Sequence, residues 1–386
     1  MTTELLSANH AAAAAAALAG RANRVGRGFG GGVYPITPQS ECMERLCDER
    51  FDKGQVVRVE SEHSAMAVCI GFSIAGARAF TASSSNGLAY MTENVFTAAM
   101  SRLPIVMMAV NRSLGPPWNI WAEHGDTLML RDAGWVQLYC EDNQEVLDSI
   151  LTAFRLAEDR RVLLPVMVCQ DAFILSHTMT PTDVPSQETV DAFLPPLDLP
   201  HRLSDRPRTV GALDGPRETE VPRAEMQRAM DDVPRVYAEV QGAFEATFGR
   251  RLADPVVPYR MDDAEIALVS IGTTAATVRA VVDEARARGV RVGGVRIRMF
   301  RPFPEDTLRQ LLSRCTRVGV LDRDLAPGQG GIVWSEVRPA APQGSIVQNY
   351  IVGLGGGDIR PKDVARILDD LCARERAGKP QFVEVG

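Results

Sequence analysis

Residues 104–110 form an unbroken apolar run, followed at once by Asn111 and Arg112. A strand with no polar face belongs in the middle of a parallel sheet, covered by helices on both sides. The neighbouring sequence repeats this arrangement. Residues 56–60, 79–83 and 164–169 read as further strands, and residues 31–34 lead into another strand end. Between and around them, residues 11–21, 38–50, 65–77, 88–101 and 144–158 carry helical patterns. Such alternation restricts the N-terminal part to an α/β fold with a parallel sheet. Residues 65–77 are apolar almost all round, which predicts a helix buried on several sides.

The alternation lapses and then resumes. Residues 186–261 are rich in Pro, Asp and Arg, with Pro195-Pro196, Pro200, Pro207 and Pro216, and read as an extended arm followed by a helix near 225–247. Strands are expected again at 266–271, 291–297, 317–321 and 345–352, with a helix at 273–288. The expectation is an α/β protein with two parallel-sheet domains, 1–185 and 262–386, joined by the arm and linker helix of 186–261. A chain of 386 residues is long enough for more than one core.

The net charge of −7 argues against a nucleic-acid or anionic-membrane surface. No apolar run reaches the roughly 18–20 residues that span a bilayer. The alanines of 11–17 are preceded by Glu4 and His10 and followed by Arg21 and Arg24, so they read as an Ala-rich helix and not as a signal-peptide core. Cys42, Cys47, Cys69, Cys140, Cys169, Cys315 and Cys372 form no CxxC pair. They read as structural thiols of a reducing cytoplasm, with no iron–sulfur cluster of the usual spacing in this chain.

Three expected strand ends carry chemistry. Thr37 lies in Val33-Tyr34-Pro35-Ile36-Thr37-Pro38, Glu62 in Val59-Glu60-Ser61-Glu62-His63-Ser64-Ala65, and Arg112 in Ala109-Val110-Asn111-Arg112-Ser113-Leu114. Ligands of open α/β sheets bind at the carboxyl ends of strands. A hydroxyl, a carboxylate and a guanidinium there are parts for holding a cofactor and a small anionic substrate. Each also has a plainer reading. Thr37-Pro38 fits an N-cap followed by a first-turn proline. Glu62 fits a helix N-terminus favoured by the dipole, and His63 a helix-end histidine. Arg112 can grip a carboxylate with two parallel hydrogen bonds, or pair with Glu123 or Asp126. Ser83-Ser84-Ser85-Asn86-Gly87 can offer free N–H groups to a phosphate. Residues 26–32 read as a flexible connector; Gly328-Gln329-Gly330-Gly331 and Gly355-Gly356-Gly357 read as turns. Gly125-Asp126 begins like a diphosphate–metal motif, but its third glycine is missing and no Asn-Asn follows. No metal site is therefore expected in this chain.

These blocks, together with Thr81-Ala82-Ser83-Ser84, Pro117-Trp118-Asn119-Ile120-Trp121, Asp171-Ala172-Phe173-Ile174-Leu175-Ser176-His177 and the run from Val295 to Pro304, occur in an order that resembles the α subunits of 2-oxoacid:ferredoxin (acceptor) oxidoreductases, the pyruvate type in particular. The resemblance implies a thiamine-diphosphate-binding domain of the pyrimidine type and a transketolase C-terminal-like domain. It implies that Glu62 hydrogen-bonds the aminopyrimidine ring, and that Arg112 and Thr37 bind the substrate. It further implies a β subunit holding the diphosphate and Mg2+, a γ subunit, a ferredoxin-like δ subunit with iron–sulfur clusters, and coenzyme A as co-substrate. Ferredoxin would accept the electrons, or NAD through a flavoprotein subunit. Pyruvate is the expected substrate. An aryl acid such as phenylglyoxylate would need extra apolar volume near Thr37 and Arg112, for which Trp118, Ile120 and Met91 are the candidates, though sequence alone does not place them there. A non-catalytic scaffold subunit and a non-redox thiamine decarboxylase or transketolase half remain the alternatives.

Overall fold

The structure, a computed structural model, describes residues 2–203 and 209–384. Two mainly parallel sheets organise it. The first has seven strands in the order Met299–Arg301, Val136–Tyr139, Val166–Asp171, Ile105–Asn111, Arg78–Ser83, Phe29–Val33 and Gly54–Arg58. Only Met299–Arg301 runs antiparallel to its neighbour. The second has six strands in the order Gln381–Val383, Ile346–Val352, Arg317–Asp322, Ile266–Ser270, Val292–Ile297 and Val256–Tyr259, the last of them antiparallel.

The apolar run at 104–110 becomes Ile105–Asn111, central in its sheet and buried along its whole length. Its two faces enter different cores. Val106, Met108 and Val110 pack with the alanine helix Ala8–Ala22 and with the helix Asn143–Ala157. Ile105, Met107 and Ala109 pack with the helix Thr92–Met100 and with Val269, Val295 and Val318 of the second sheet. Each fully buried side chain of this size contributes roughly 1.5–3 kcal/mol. The two sheets thus share one apolar layer.

Several expectations change. Residues 26–32 are not a flexible connector, because Gly30, Gly31 and Gly32 lie inside the buried strand Phe29–Val33. A Cβ at Gly30 would lie 2.1 Å from the Phe72 ring, and one at Gly32 would lie 2.2 Å from the Ala65 carbonyl. Only glycine lets the helix Glu62–Ile74 rest this close to the strand. That helix is less enclosed than its apolar sequence predicts: Ala67 and Gly71 are exposed and Ile70, Phe72 and Ile74 half-buried. The helix expected over 38–50 is only Ser40–Cys47, capped at Gln39, so Thr37 is not its N-cap and Pro38 not its first residue. The linker helix starts earlier than expected and spans Pro216–Phe248, with Pro216 in its first turn. Val233, Val236, Tyr237, Val240, Phe244 and Phe248 form its buried stripe. The expected arm contains the helix Gln187–Phe193; its residues 204–208, including Pro207, lie outside the described residues. The short strands Thr2–Leu6 and Thr180–Val184, which pair with each other, and Val136–Tyr139, Val256–Tyr259, Met299–Arg301 and Gln381–Val383 were not expected. All seven cysteines are unpaired. Among the described residues no helix is long and apolar enough to cross a membrane.

Candidate functional site at the carboxyl edge of the first sheet

Thr37, Glu62 and Arg112 all follow strands of the first sheet at its carboxyl edge. Glu62 is the first residue of its helix, capped by Ser61, whose hydroxyl accepts the Ser64 N–H at 3.2 Å. The helix starts here because the cap satisfies a free N–H and the dipole favours an acidic first turn. Glu62 is 8% exposed, yet among the described residues its carboxylate has no hydrogen-bond partner. It sits over Gly87, where an added Cβ would come within 2.8 Å of Glu62 Oε1 and 2.5 Å of Ser83 Oγ. The buried Ser83 hydroxyl also lacks a partner. Glu62 and Ser83 thus bring a carboxylate and a hydroxyl without protein partners together over one glycine. Unpaired buried polar groups are rare in native proteins and call for an explanation.

Arg112 is 8% exposed, and its side-chain hydrogen bonds go to neither Glu123 nor Asp126. Its Nε donates to the Asn119 carbonyl at 2.9 Å, and its Nη1 to the Thr37 carbonyl at 2.6 Å. Burial lowers the guanidinium pKa while the Asp126 and Glu62 carboxylates oppose that shift; an arginine stays charged throughout. The structure therefore brings Thr37 and Arg112 into direct contact, with Glu62 in electrostatic reach. Thr37 is exposed, and the group engaged by the arginine is its carbonyl, not its hydroxyl.

Asp126 organises this edge, a role that its place in the Gly125-Asp126 pair did not suggest. It is fully buried and accepts the N–H groups of Ser85 (2.9 Å), Arg112 (3.0 Å) and Thr127 (2.8 Å) and the Asn111 amide (2.9 Å). Asp126 takes the Ser85 N–H, so that one donor of the 83–87 segment is not free for a phosphate. Burial pushes the Asp126 carboxyl up to about 6, against these hydrogen bonds. Asp126→Asn would set amide hydrogens against donors. We expect it to cost about 1–3 kcal/mol of stability, read from urea unfolding of the full chain; an unchanged midpoint would show that these donors find other partners.

Deeper at the same edge, Asp171 joins the two sheets. It accepts from His124 Nε2 at 2.7 Å and from both the N–H (3.1 Å) and the hydroxyl of Thr273, with Arg323 at 3.8 Å. Burial alone would raise Asp171, but His124, Arg323 and Thr273 outweigh it and hold the carboxyl well below its ordinary value of 3.8. A depressed carboxylate contributes stability that is full above the ordinary value and is lost as pH falls through the folded one. The difference in unfolding free energy between the natural chain and Asp171→Asn should therefore be constant above about pH 5 and shrink in more acidic buffer. A difference that grows on acidification would contradict this assignment.

His63 points away from this group, lying 3.4 Å from Glu93 near the Tyr90 ring, with its side chain 39% exposed. Met91 is fully buried in the core beside Leu88 and Val95, so it supplies no volume to a substrate, whereas Trp118 and Ile120 are exposed on either side of Asn119. A cleft of about 560 Å³ opens between the sheets, lined by Trp121, Phe173, Thr273, Arg323 and Ile359 among others, and includes none of Thr37, Glu62 or Arg112.

Thr37, Glu62 and Arg112 thus lie along the carboxyl edge of a mainly parallel sheet that packs on a second, mainly parallel sheet. The fold matches a 2-oxoglutarate:ferredoxin oxidoreductase from Magnetococcus marinus with a TM-score of 0.73 at 19% identity, covering 95% of this chain and 65% of that one. It also matches a split-gene transketolase with a TM-score of 0.55 at 10% identity, covering 96% of this chain and 99% of that one. At such identities these likenesses concern the fold.

Sequence comparison identifies the family. Residues 31–242 match the family model for pyruvate flavodoxin/ferredoxin oxidoreductase, thiamine diphosphate-binding, and residues 264–364 match that for pyruvate:ferredoxin oxidoreductase core domain II. The chain belongs to this family. It is 42% identical over 372 residues to the pyruvate synthase subunit PorA of Methanothermobacter thermautotrophicus, covering 95% of each chain. It is 42% identical over 385 residues to the ketoisovalerate oxidoreductase subunit VorA of Pyrococcus furiosus, covering 97% of this chain and 95% of that one. The pyruvate synthase subunit PorA of Thermotoga maritima is 43% identical over 346 residues, 88% of each.

Proposed function

We propose that this chain is the α subunit of a thiamine-diphosphate-dependent 2-oxoacid:acceptor oxidoreductase that converts pyruvate and coenzyme A to acetyl-CoA and CO2. In the overall reaction the bond between the carboxyl and keto carbons breaks, the acyl carbon joins the coenzyme A sulfur, and two electrons pass to the acceptor. The thiamine group, when bound, supplies the carbon nucleophile and the electron sink that this chemistry needs. The observation that carries the reading is the nearly buried, unpartnered Glu62 carboxylate beside Ser83 Oγ and Gly87. Glu62 would accept a hydrogen bond from a ring nitrogen of the bound group and hold that ring's protonation state. Arg112, steadied by two carbonyls, binds the substrate carboxylate, with Thr37 beside it.

Partners complete the site. Tyr90, Phe96, Trp118, Ile120, Trp121 and Ile174 are exposed large apolar side chains, and the helix that begins at Glu62 has an open apolar face. Exposed apolar surface on this scale supports a protein interface. We assign to it the β subunit, which would hold the diphosphate and Mg2+. The γ subunit and the ferredoxin-like δ subunit would complete a heteromer in which iron–sulfur clusters carry the electrons to ferredoxin, or to NAD if a flavoprotein is present. Seven unpaired cysteines support a reducing, cytoplasmic setting. We place the pyrimidine-side domain at 1–185, the arm and linker helix at 186–261, and the transketolase C-terminal-like domain at 262–386; the presence of Met299–Arg301 in the first sheet means that the last of these also completes the first.

The test is to purify the chain with its partners and assay pyruvate, ketoisovalerate, 2-oxoglutarate and phenylglyoxylate for coenzyme-A-dependent acceptor reduction. Pyruvate should be turned over with the highest kcat/KM. Release of an aldehyde without acceptor reduction would sink the oxidoreductase reading, and a preference for phenylglyoxylate would replace pyruvate by an aryl acid.

A further inference from the structure

The loop that follows Ile346–Val352 belongs to the second sheet but reaches the candidate site of the first. Arg323, almost fully buried, anchors it by donating from Nε to the Gly353 carbonyl (3.2 Å) and from Nη2 to the Gly357 carbonyl (3.0 Å). Its middle then grips the segment Asn119–Glu123. The Gly355 carbonyl accepts from Asn119 Nδ2 at 3.1 Å, and the Gly355 N–H donates to Glu123 Oε2 at 2.8 Å. Gly356 has φ +86°, and a Cβ there would fall 1.9 Å from Trp121 Cβ, so no other residue allows this approach.

Asn119 is the residue whose carbonyl takes Arg112 Nε. Its side chain makes three hydrogen bonds: Oδ1 accepts from Ser113 Oγ (2.7 Å) and the Trp121 N–H (3.0 Å), while Nδ2 donates to the Gly355 carbonyl. The chain of contacts is continuous, from Arg323 through the glycine loop and Asn119 to the guanidinium. Arg112 has no carboxylate partner to hold it, so its position depends on the carbonyls that it donates to, and Asn119 is placed by the second sheet.

We infer that Gly355 and Gly356 are positioning residues for substrate binding: the C-terminal glycine loop sets where Arg112 presents its guanidinium to the 2-oxoacid carboxylate. This rests on Arg112 being the carboxylate site proposed above. It gives the C-terminal half a part in substrate affinity as well as in assembly.

The experiment uses the complete complex carrying Gly356→Ala, Gly355→Ala, Arg112→Ala, or Gly344→Ala. Gly344 also has positive φ, +87°, but has open space around it, so its substitution reports backbone strain without displacing Asn119. Gly356→Ala should raise KM for pyruvate about tenfold, since a misplacement of about 1 Å at a binding group can cost up to about 10²-fold, with kcat and KM for coenzyme A within about twofold. Gly355→Ala, whose Cβ would meet Asn119 Nδ2 at 2.9 Å, should act in the same direction, and it answers the question if Gly356→Ala does not assemble. In the Arg112→Ala background neither should add a further increase, as expected for residues acting through one another. An unchanged KM in an assembled glycine variant, alongside a raised KM in Arg112→Ala, overturns the inference while leaving Arg112 as the carboxylate site. An unchanged KM in Arg112→Ala defeats the underlying reading instead. A parallel loss in kcat and every KM, or the same change in Gly344→Ala, would show a merely structural role and also overturn the inference.

Discussion

Glu62→Gln should lower turnover of the reconstituted complex by about 10²–10⁴-fold, the range for loss of a positioned proton-transfer group. The substitution keeps the shape of the side chain, so the packing over Gly87 and the helix start at Ser61 survive. What changes is that an amide cannot take and return a proton at a ring nitrogen. Because the carboxylate makes no hydrogen bond among the described residues, nothing in the fold loses a partner. The thermal midpoint of the full chain should therefore stay close to that of the natural protein, and assembly with the β subunit should be intact by size-exclusion chromatography. Full turnover with normal assembly would reduce this chain to a scaffold. A large drop in stability together with activity would mean that Glu62 is a structural helix-start residue, the plainer of its two sequence readings.

Arg112→Ala should raise KM for pyruvate by roughly 10- to 150-fold, with kcat changed far less. A hydrogen bond to a charged group is worth about 1.5–3 kcal/mol, and each 1.4 kcal/mol is a factor of ten. Nε and Nη1 each donate to a backbone carbonyl, which leaves the Nη2 side without a protein partner among the described residues. Arg112→Lys should recover only part of the affinity, because an ammonium cannot hold both carbonyls and the substrate in the geometry of a planar fork. Initial-rate kinetics over a pyruvate series measures both variants. If KM for pyruvate is unmoved in Arg112→Ala, another cation holds the substrate carboxylate.

Much of the architecture was readable from local pattern. The unbroken apolar stretch at 104–110 could hardly be anything but a central strand, and the strands that became Arg78–Ser83, Val166–Asp171, Ile266–Ser270 and Ile346–Val352 followed from the same kind of signal. What pattern reading missed were elements whose formation depends on remote partners. Met299–Arg301 is a strand only because Val136–Tyr139 lies beside it. Phe29–Val33 carries three consecutive glycines, which taken alone suggest a flexible connector, yet those glycines are what admits the helix above it. The linker helix begins at Pro216, before any apolar periodicity, because proline suits a first turn.

The candidate site divides in the same way. Thr37, Glu62 and Arg112 could be selected because each follows a strand, and the carboxyl ends of parallel strands necessarily meet along one edge. Sequence alone therefore determined that a hydroxyl, a carboxylate and a guanidinium would share an edge, and that the diphosphate–metal motif would be missing. Tertiary structure decided everything that depends on distance. It left Glu62 unpaired, gave Arg112 two carbonyls in place of Glu123 or Asp126, made Asp126 a buried hub, and brought Gly355 from the far end of the chain onto Asn119. The physical reason is range: periodicity and capping act within a few residues, whereas hydrogen-bond pairing and burial are settled by whichever groups the packed sheets bring within about 3 Å of one another.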